Sequence, residues 1–424
     1  MKIQAIKGVK DILPEEMPKW DHVESALREL FQNFNYHEIK IPIFEETSLF
    51  ARSIGAGTDI VEKEMYTFED RDGKKLTLRP EGTASVVRAF IEHNLYALSP
   101  LTKVFYIGPM FRHERPQKGR FRQFYQAGAE ALGPSGPLQD VEMISFLSLF
   151  FDRIALFTEA RRQVSLEINS VGCPNCRPAY KSLLQTFLRK ISGNLCDNCK
   201  RRTDTNPMRV LDCKNEDCQK ALTGAPEILK HLCGECGSHF EEVQKGLSLL
   251  KIGFKVNARL VRGLDYYTKT AFEWNLEGLG AQNTLAAGGR YDGLVGELEG
   301  PQVPGIGFAL GMERVISLID PSKVPLSEVA LFVAALGEKA REYALPLLSL
   351  LREKGLSAEM DVNGASLKSQ MKKADRVNAR HVLIIGDEEI AKGVALLRDM
   401  KSKSQEDLPL EEAGPKLLAR LKKP

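Results

Sequence analysis

The stretch IGPMFRHERPQKGRFRQFYQAGAE, Ile107 to Glu130, reads as an arginine-studded hairpin with its polar residues in register. Lys103 to Ile107 ahead of it and Phe121 to Ala129 within it have strand composition. The loop between them carries Arg112, His113, Glu114, Arg115, Lys118 and Arg120. Successive strand side chains point to opposite faces, so Arg122, Phe124, Gln126, Gly128 and Glu130 fall on one face. Arg112 can join them from the partner strand. That row is a cation, an aromatic plate, an amide, a gap and a carboxylate. A solvated face would need neither the ring nor the gap, whereas an anionic, ring-bearing ligand such as a nucleotide uses every member.

Around the hairpin lies a globular chain of 424 residues, long enough for two or three domains with full cores. The formal charge of +3 is nearly balanced, so a nucleic-acid partner must be held by local patches. No stretch is apolar enough to span a bilayer and the start lacks a cleavable leader pattern, which predicts a cytoplasmic protein without a membrane partner. All eight cysteines fall between Cys173 and Cys236. A disulfide framework would suit a small secreted domain, so the cysteines mark a module within a larger reduced chain.

Upstream of the hairpin, Met17 to Phe34 has a helical apolar stripe, and Tyr36 to Phe44 turns extended, with Pro42 implying an edge or interface strand. Met65 to Leu78 reads as a β-hairpin turning at Asp72-Gly73, and Pro80-Glu81-Gly82-Thr83 opens a helix through His93. Downstream, Asp140 to Phe157 reads as a helix and Val164 to Val171 as a strand. Strands are expected again at Ala258 to Val261 and Ala271 to Asn275. A glycine-rich turn at Gly288 to Gly293 leads to a strand at Gly305 to Leu310 and a helix from Gly311 to Ile319. Asp320 to Pro325 reads as a linker, followed by a βαβ pattern. The expected parts are residues 1–171 and 256–325 as two pieces of one core, 172–255 as a helical cysteine-rich insertion, and 326–424 as a small α/β domain.

Three further motifs can converge on the hairpin. Glu81, beside Arg79 at a strand-to-helix junction, can cap the helix or receive an ammonium group. Arg262 stands next to Tyr266 and Tyr267 at a strand end, a pattern that suits an anionic group beside a ring pocket. Arg314 opens the helix after the glycine-rich strand Gly305 to Leu310 and can add a cation above it. The cysteines fall as Cys173-x2-Cys176, Cys196-x2-Cys199, Cys213-x4-Cys218 and Cys233-x2-Cys236. Eight thiolates suffice for two tetrahedral zinc sites of structural type; reduced, partly buried thiols are the alternative.

At these motifs the chain resembles the histidyl-tRNA synthetases, a branch of the class II aminoacyl-tRNA synthetases. FRHERPQKGRFRQF (111–124) and GFALGMERV (307–315) match the second and third class II signatures, while RGLDYYT (262–268) and GGRYDG (288–293) resemble the motifs of the histidine branch. The resemblance spans Lys7 through the C-terminal domain and covers the cysteine module only loosely. It implies an α+β fold: a mixed, mainly antiparallel sheet core, a helical insertion, and a C-terminal α/β anticodon-binding domain. It also implies a homodimer, with Met17 to Phe44 as the dimerisation signature, and ligation of L-histidine to tRNA(His) through a histidyl-adenylate, using ATP with Mg²⁺.

By the same resemblance, Arg112 and Arg314 would grip the ATP phosphates, with Phe124 stacked on adenine and Glu114 near its amino group. Glu81, Gly82 and Thr83 would hold the histidine ammonium end, completed by Gln126 and Glu130. Tyr266 and Tyr267 would line the imidazole site, and Arg262 would meet the substrate carboxylate and the α-phosphate. The resemblance supplies no zinc. Ala287 departs from it, standing where many relatives carry a third glycine before Gly288, and a methyl there is expected to crowd the turn slightly. Competing readings are a regulatory paralogue that binds histidine without catalysis, expected to lack the α/β tail and RGLDYYT, and a ligase of another amino acid.

Overall fold

The computed structural model describes residues 3–55, 57–117, 119–154, 164–276, 283–324 and 328–421. Lys118, the tail expected for the helix beyond Ile154, and Pro325 lie outside the described residues. In chain order the strands of the first unit are β1 (His37–Glu38), β2 (Phe44–Glu46), β3 (Tyr66–Glu69), β4 (Lys75–Leu78), β5 (Thr102–Phe111), β6 (Gln123–Leu132), β7 (Val164–Ser170), β8 (Lys255–Val256), β9 (Thr268–Leu276), β10 (Thr284–Arg290) and β11 (Gly305–Gly311). β5 and β6 form the hairpin, paired from Thr102↔Leu132 to Phe111↔Gln123.

The main sheet runs β1-β5-β6-β11-β10-β9-β7-β8. Its two edge pairs, β1 with β5 and β7 with β8, are parallel, and every other neighbouring pair is antiparallel. One face carries Ala127, Ala129, Ala131, Ile306 and Phe308 into a hydrophobic core under the helices Met17–Asn33 and Pro137–Arg153. Trp20, Val23, Leu27, Leu30 and Phe31 supply the helical stripe. Phe31 fixes the packing by stacking on Phe105 at 4.1 Å and on Phe146 at 4.5 Å. The opposite face is left to small residues. Across the strands run the rows Gly128, Ala309, Ala287, Glu273 and Glu130, Gly307, Gly289, Ala271. That floor is open where the first face is packed.

Several expectations are redrawn. The extended stretch after the first helix splits at Pro42 into β1, an edge strand, and β2, which joins a separate sheet of order β2-β4-β3. Ala258 to Val261 forms no strand, because the Asn169 amide engages the carbonyls of Ala258 and Leu260 at 3.4 and 2.9 Å in place of a neighbouring backbone. Gly288 and Gly289 lie in β10, not in a turn. A Cβ at Gly288 would collide with the Phe272 ring and the backbone of β11, so the glycine serves close strand packing. Ala287 is therefore a floor residue paired with Ala309 and Glu273, and it crowds no turn. The helix after β11 is short, Met312–Ile316.

Between β7 and β8 the chain is helical: Arg177–Lys190, Asp197–Thr205, Glu216–Ala221 and Gly234–Leu249. Phe240, Val243 and Leu247 of the last helix enter the main core, and Tyr180, Leu184 and Leu188 of the first share a hydrophobic cluster with Tyr266 and Tyr267.

Contacts divide the chain into two units, the second following Val324. That second unit has strands β12 (Val329–Leu336), β13 (Ala358–Met360), β14 (Ala379–Gly386), β15 (Val394–Asp399) and β16 (Gln405–Pro409), in the order β13-β12-β14-β15-β16. β12 pairs in parallel with β13 and β14 as a βαβ pattern requires; β15 and β16 add antiparallel strands. No helix among the described residues is long and apolar enough to cross a membrane.

Candidate active site

The amino-acid end of the floor is built around Glu130, which is wholly buried in mid-β6. The Thr83 hydroxyl donates to its Oε1 at 2.7 Å and the Tyr291 hydroxyl to its Oε2 at 2.5 Å. Burial raises the Glu130 pKa to about 8, against the pull of those two donors. The carboxylate leans over Gly307, where a Cβ would overlap it. Glu81 does what a cap does: its oxygens accept from the N–H groups of Thr83 at 2.7 Å and Ala84 at 2.9 Å. Burial nevertheless raises its pKa. Gly82 and Gly128 make a slot for the buried Tyr106 ring, since a Cβ at either would overlap it. Gln126 keeps a buried Oε1 with no hydrogen-bond partner among the described residues, an acceptor free for a ligand.

The nucleotide end lies where β5 and β6 separate. The Arg112 guanidinium sits 5.4 Å from the Phe124 ring centroid and donates to Pro80 O at 2.9 Å. Glu114 pairs with Arg120 at 2.5 Å and with Arg112 at 3.9 Å. Arg314 donates to Thr284 O at 2.7 Å and to Gly119 O at 3.4 Å; burial and the neighbouring Arg120 lower its pKa. Arg112, Arg120 and Arg314 converge there, with Glu64, Glu114 and Glu313 close by, a set of guanidinium donors that an anion can engage. Arg122 does not join the row. It precedes β6, and its side chain turns toward the backbone of Lys7 and Glu114.

Arg262 approaches from the segment between β8 and β9. It pairs with Glu273 and lies 5.7 Å from the Tyr267 ring centroid. Burial opposes its charge, but Glu273 and Tyr267 outweigh that and raise its pKa. The Tyr266 and Tyr267 rings lie 4.8 Å apart, tilted by 45°, and Tyr266 meets Tyr291 edge-on at 5.7 Å, so the ring pocket is continuous with the Glu130 cluster. His113 packs edge-on against Tyr66 and joins none of this.

The eight thiols form two tetrahedra: Cys173, Cys176, Cys233, Cys236 and Cys196, Cys199, Cys213, Cys218, with the sulfurs of each set within 4.8 Å of one another. Sulfur separations are 3.6 and 3.9 Å in the first and 3.9 Å in the second. Zinc bound at about 2.3 Å in a tetrahedron sets its sulfurs about 3.8 Å apart. In each set a backbone N–H donates to a sulfur at 3.1 Å, Cys233 to Cys176 and Cys196 to Cys218. The donor chemistry and spacing fit a soft divalent ion.

A family model described as histidyl-tRNA synthetase matches residues 8–175 and 181–315. The chain belongs to the histidyl-tRNA synthetase family. A second model, described as an anticodon binding domain, matches residues 330–420. The chain is 50% identical over 420 residues to a curated histidine–tRNA ligase of Syntrophotalea carbinolica, covering 99% of each. The crystal structure of apo Staphylococcus aureus histidyl-tRNA synthetase superposes with a TM-score of 0.82 at 37% identity, over 98% of this chain and all of that one. A Bacillus halodurans protein described as ATP phosphoribosyltransferase regulatory subunit/histidyl-tRNA synthetase shares the fold alone, at TM-score 0.65 and 18% identity over 91% of this chain and 99% of that one. The α+β architecture expected from sequence is the one the synthetase neighbours share.

Four contributors escaped the sequence reading. Tyr291 was within a quoted motif but reaches Glu130 across 161 positions. Tyr106 and Glu273 sit in apparently ordinary strands. Asp140 is wholly buried and joins His239 at 2.7 Å, Arg290 at 2.7 Å and the Thr270 hydroxyl at 2.5 Å. The alternation of β9 could have flagged Glu273, because it places a carboxylate among apolar neighbours.

Proposed function

We propose that this chain forms histidyl-adenylate on the floor of β6, β11, β10 and β9, and then passes the histidyl group to tRNA(His). The overall reaction, ATP-dependent ligation of L-histidine to tRNA with release of AMP and pyrophosphate, is the family's. The residue roles are our own reading. Arg112 and Arg314 bind ATP phosphates, Phe124 stacks on adenine, and Glu114 meets its amino group. Glu81, Gly82, Thr83, Gln126 and Glu130 surround the histidine ammonium end, and Tyr266 and Tyr267 face the imidazole. Arg262 bridges substrate carboxylate and α-phosphate. The attacking carboxylate is already ionised, so the chemistry needs orientation and neutralisation of equatorial charge, not a general base. Mg²⁺ would add charge neutralisation at the phosphates.

One observation carries this reading: Arg112 with Phe124 and Glu130 with Thr83 stand at two ends of the same strand face, with Arg262 reaching in between Glu273 and the tyrosines. ATP–pyrophosphate exchange measured across the amino acids tests it. Exchange with histidine alone is expected, and no exchange with histidine would falsify the reading. A regulatory paralogue predicts that same silence, yet here RGLDYYT and the 330–420 domain are both present.

The same reading makes residues 326–424 the anticodon binder. Lys368, Lys372 and Arg376 are exposed along one helix there, while Lys373 is engaged by the buried Asp361 and Arg380 lies on β14. It also makes the chain a cytoplasmic homodimer joined through Met17 to Phe44, which light scattering would register as twice the chain mass. Each thiol tetrahedron holds one structural zinc ion; fewer than about half an equivalent per chain in protein purified without added zinc would sink this part.

A further inference from the structure

The segment from Asn257 to Tyr267 carries Arg262, Tyr266 and Tyr267, yet it has neither helix nor strand of its own. A substrate loop without a ladder must be positioned by something else. Asn169 of β7 holds the carbonyls of Ala258 and Leu260, and Ile54 O accepts from the Asp265 N–H, but the part that bears Arg262 and the tyrosines is gripped by side chains of the cysteine-rich insertion.

From the first tetrahedron, Arg177, next to Cys176, donates to Tyr267 O and, at 3.3 Å, to Gly172 O. Glu235, between Cys233 and Cys236, pairs with Lys269 at 2.8 Å just past the tyrosines. From the second, Arg209, four residues before Cys213, donates to Arg262 O at 3.0 Å. Asn206 donates to the Asp265 carboxylate at 2.7 Å. Arg259 reaches back to Leu222 O at 2.9 Å and to Gln219, the neighbour of Cys218, at 3.5 Å. The two tetrahedra thus brace the loop at its two ends. Arg177 and Arg209 are themselves half-buried. Such cations are costly to place unless the backbone that bears them is rigid. The helix after Cys176 is anchored by Tyr180, Leu184 and Leu188, whereas those after Cys196 and Asn215 are only nine and six residues long and gain most from a fixed point at the cysteines.

We infer that the two metal-bound tetrahedra are positioning devices for the Arg262–Tyr267 loop, so that metal occupancy sets histidine affinity and reaches ATP only through Arg262, leaving the grip of Arg112, Phe124 and Arg314 in place. This rests on the zinc reading above. The ATP residues Arg112, Phe124 and Arg314 belong to the β5–β6 hairpin and the β11 helix, which the tetrahedra do not touch. The metal takes no part in the chemistry; it fixes the backbone from which Arg177 and Arg209 extend.

The test uses the full chain. Metal is counted on protein purified without added zinc, then removed with a mercurial and a chelator, and the thiols are restored with reductant. Hydrogen exchange of residues 258–267 and the KM values for histidine and ATP are measured before removal, after it, and after reloading with zinc. About two equivalents per chain are expected at the start. Removal is expected to raise exchange in the loop and the histidine KM about tenfold, with a smaller rise in the ATP KM through Arg262, and zinc is expected to reverse these changes. Because a stripped chain can unfold altogether, Arg209→Ala provides a second arm with all eight cysteines intact. It is expected to keep its zinc but to show the same loop exchange and the same histidine-selective KM rise, partly rescued by Arg209→Lys. Zinc bound, exchange with histidine normal, and a loop indifferent to both metal removal and Arg209→Ala would overturn this inference alone. Absence of metal would instead overturn the zinc reading and this one with it, and absence of histidine-dependent exchange in zinc-loaded protein would overturn the assigned reaction.

Discussion

The floor and the loop above it solve the same problem in opposite ways. The floor holds Gln126, Glu130 and Glu273 on paired strands, where every backbone group has a neighbour and small residues keep the surface low. The loop holds Arg262, Tyr266 and Tyr267 on backbone that pairs with no strand and is pinned by side chains from the cysteine-rich insertion. Position on a sheet is inherited from register, whereas position on such a loop must be supplied by each contact. Disturbing the floor should therefore cost stability and affinity together, while disturbing the loop should cost activity first.

The sharpest break of that comparison is Arg262→Glu. It puts a like charge against Glu273 and removes the cation assigned to the α-phosphate. Pyrophosphate exchange is expected to fall about a thousandfold, about 4 kcal/mol of barrier, a larger effect than the loss of stability from the two facing carboxylates. Activity within tenfold of the parent would refute the role given to Arg262. Next in size is Asp140→Asn, at the junction of both regions. Asp140 pairs with the fully buried Arg290 of β10 and with His239 of the insertion's last helix, so removing its charge strands Arg290 with Asp292 as its remaining ion-pair partner. A loss of about 3 kcal/mol is expected by urea unfolding. A shift under about 0.5 kcal/mol would show that the pair does not join the two regions.

How far each region could be read in advance follows from the same physics. The hairpin was legible because strand alternation is local: Phe124, Gln126, Gly128 and Glu130 do share a face, and only Arg122, just outside the strand, turned away. Ala258 to Val261 misled because its apolar alternation is real, but the Asn169 side chain claims the carbonyls that a ladder would have used. Tyr291 and Asp140 were illegible for a different reason. Their partners lie 161, 130 and 99 positions away, and no periodicity encodes such a meeting. The thiol pairs sat between these extremes. Spacing within each pair was plain, but that Cys173-Cys176 joins Cys233-Cys236 while the inner pairs join each other required the fold.

A titration sharpens the floor side of the comparison. The Glu130 pKa of about 8 stands above the ordinary 4.5 because burial disfavours its charge. The folded chain therefore keeps a proton that the unfolded chain gives up. This group's contribution to stability is complete below about pH 4.5 and is lost as pH rises through about 8. An ammonium ion docked beside it would favour the carboxylate, so histidine binding near pH 7 is expected to release about one proton per chain. Calorimetry in two buffers of different ionisation enthalpy measures it. Glu130→Gln should abolish the release, and an unchanged release in that variant would assign the proton elsewhere.

The smallest expected effect probes whether the insertion's exposed charges help its buried ones. Arg201 pairs with Glu62 at 3.0 Å, and the neighbouring Arg202 pairs with Asp59, so these two insertion arginines are docked onto the helical turn Ile60–Glu64 and the residue before it. The Arg201 side chain is 45% exposed, which limits such a pair to about 0.5 kcal/mol. A double-mutant cycle of Arg201→Ala with Glu62→Ala should return that coupling and lose it in high salt. If the loop is braced chiefly through Arg177, Asn206 and Arg209, the cycle should leave the histidine KM unmoved. A coupling that appeared in KM as well would mean that the surface charges also steer the loop, and the division between a floor set by register and a loop set by buried contacts would have to be redrawn.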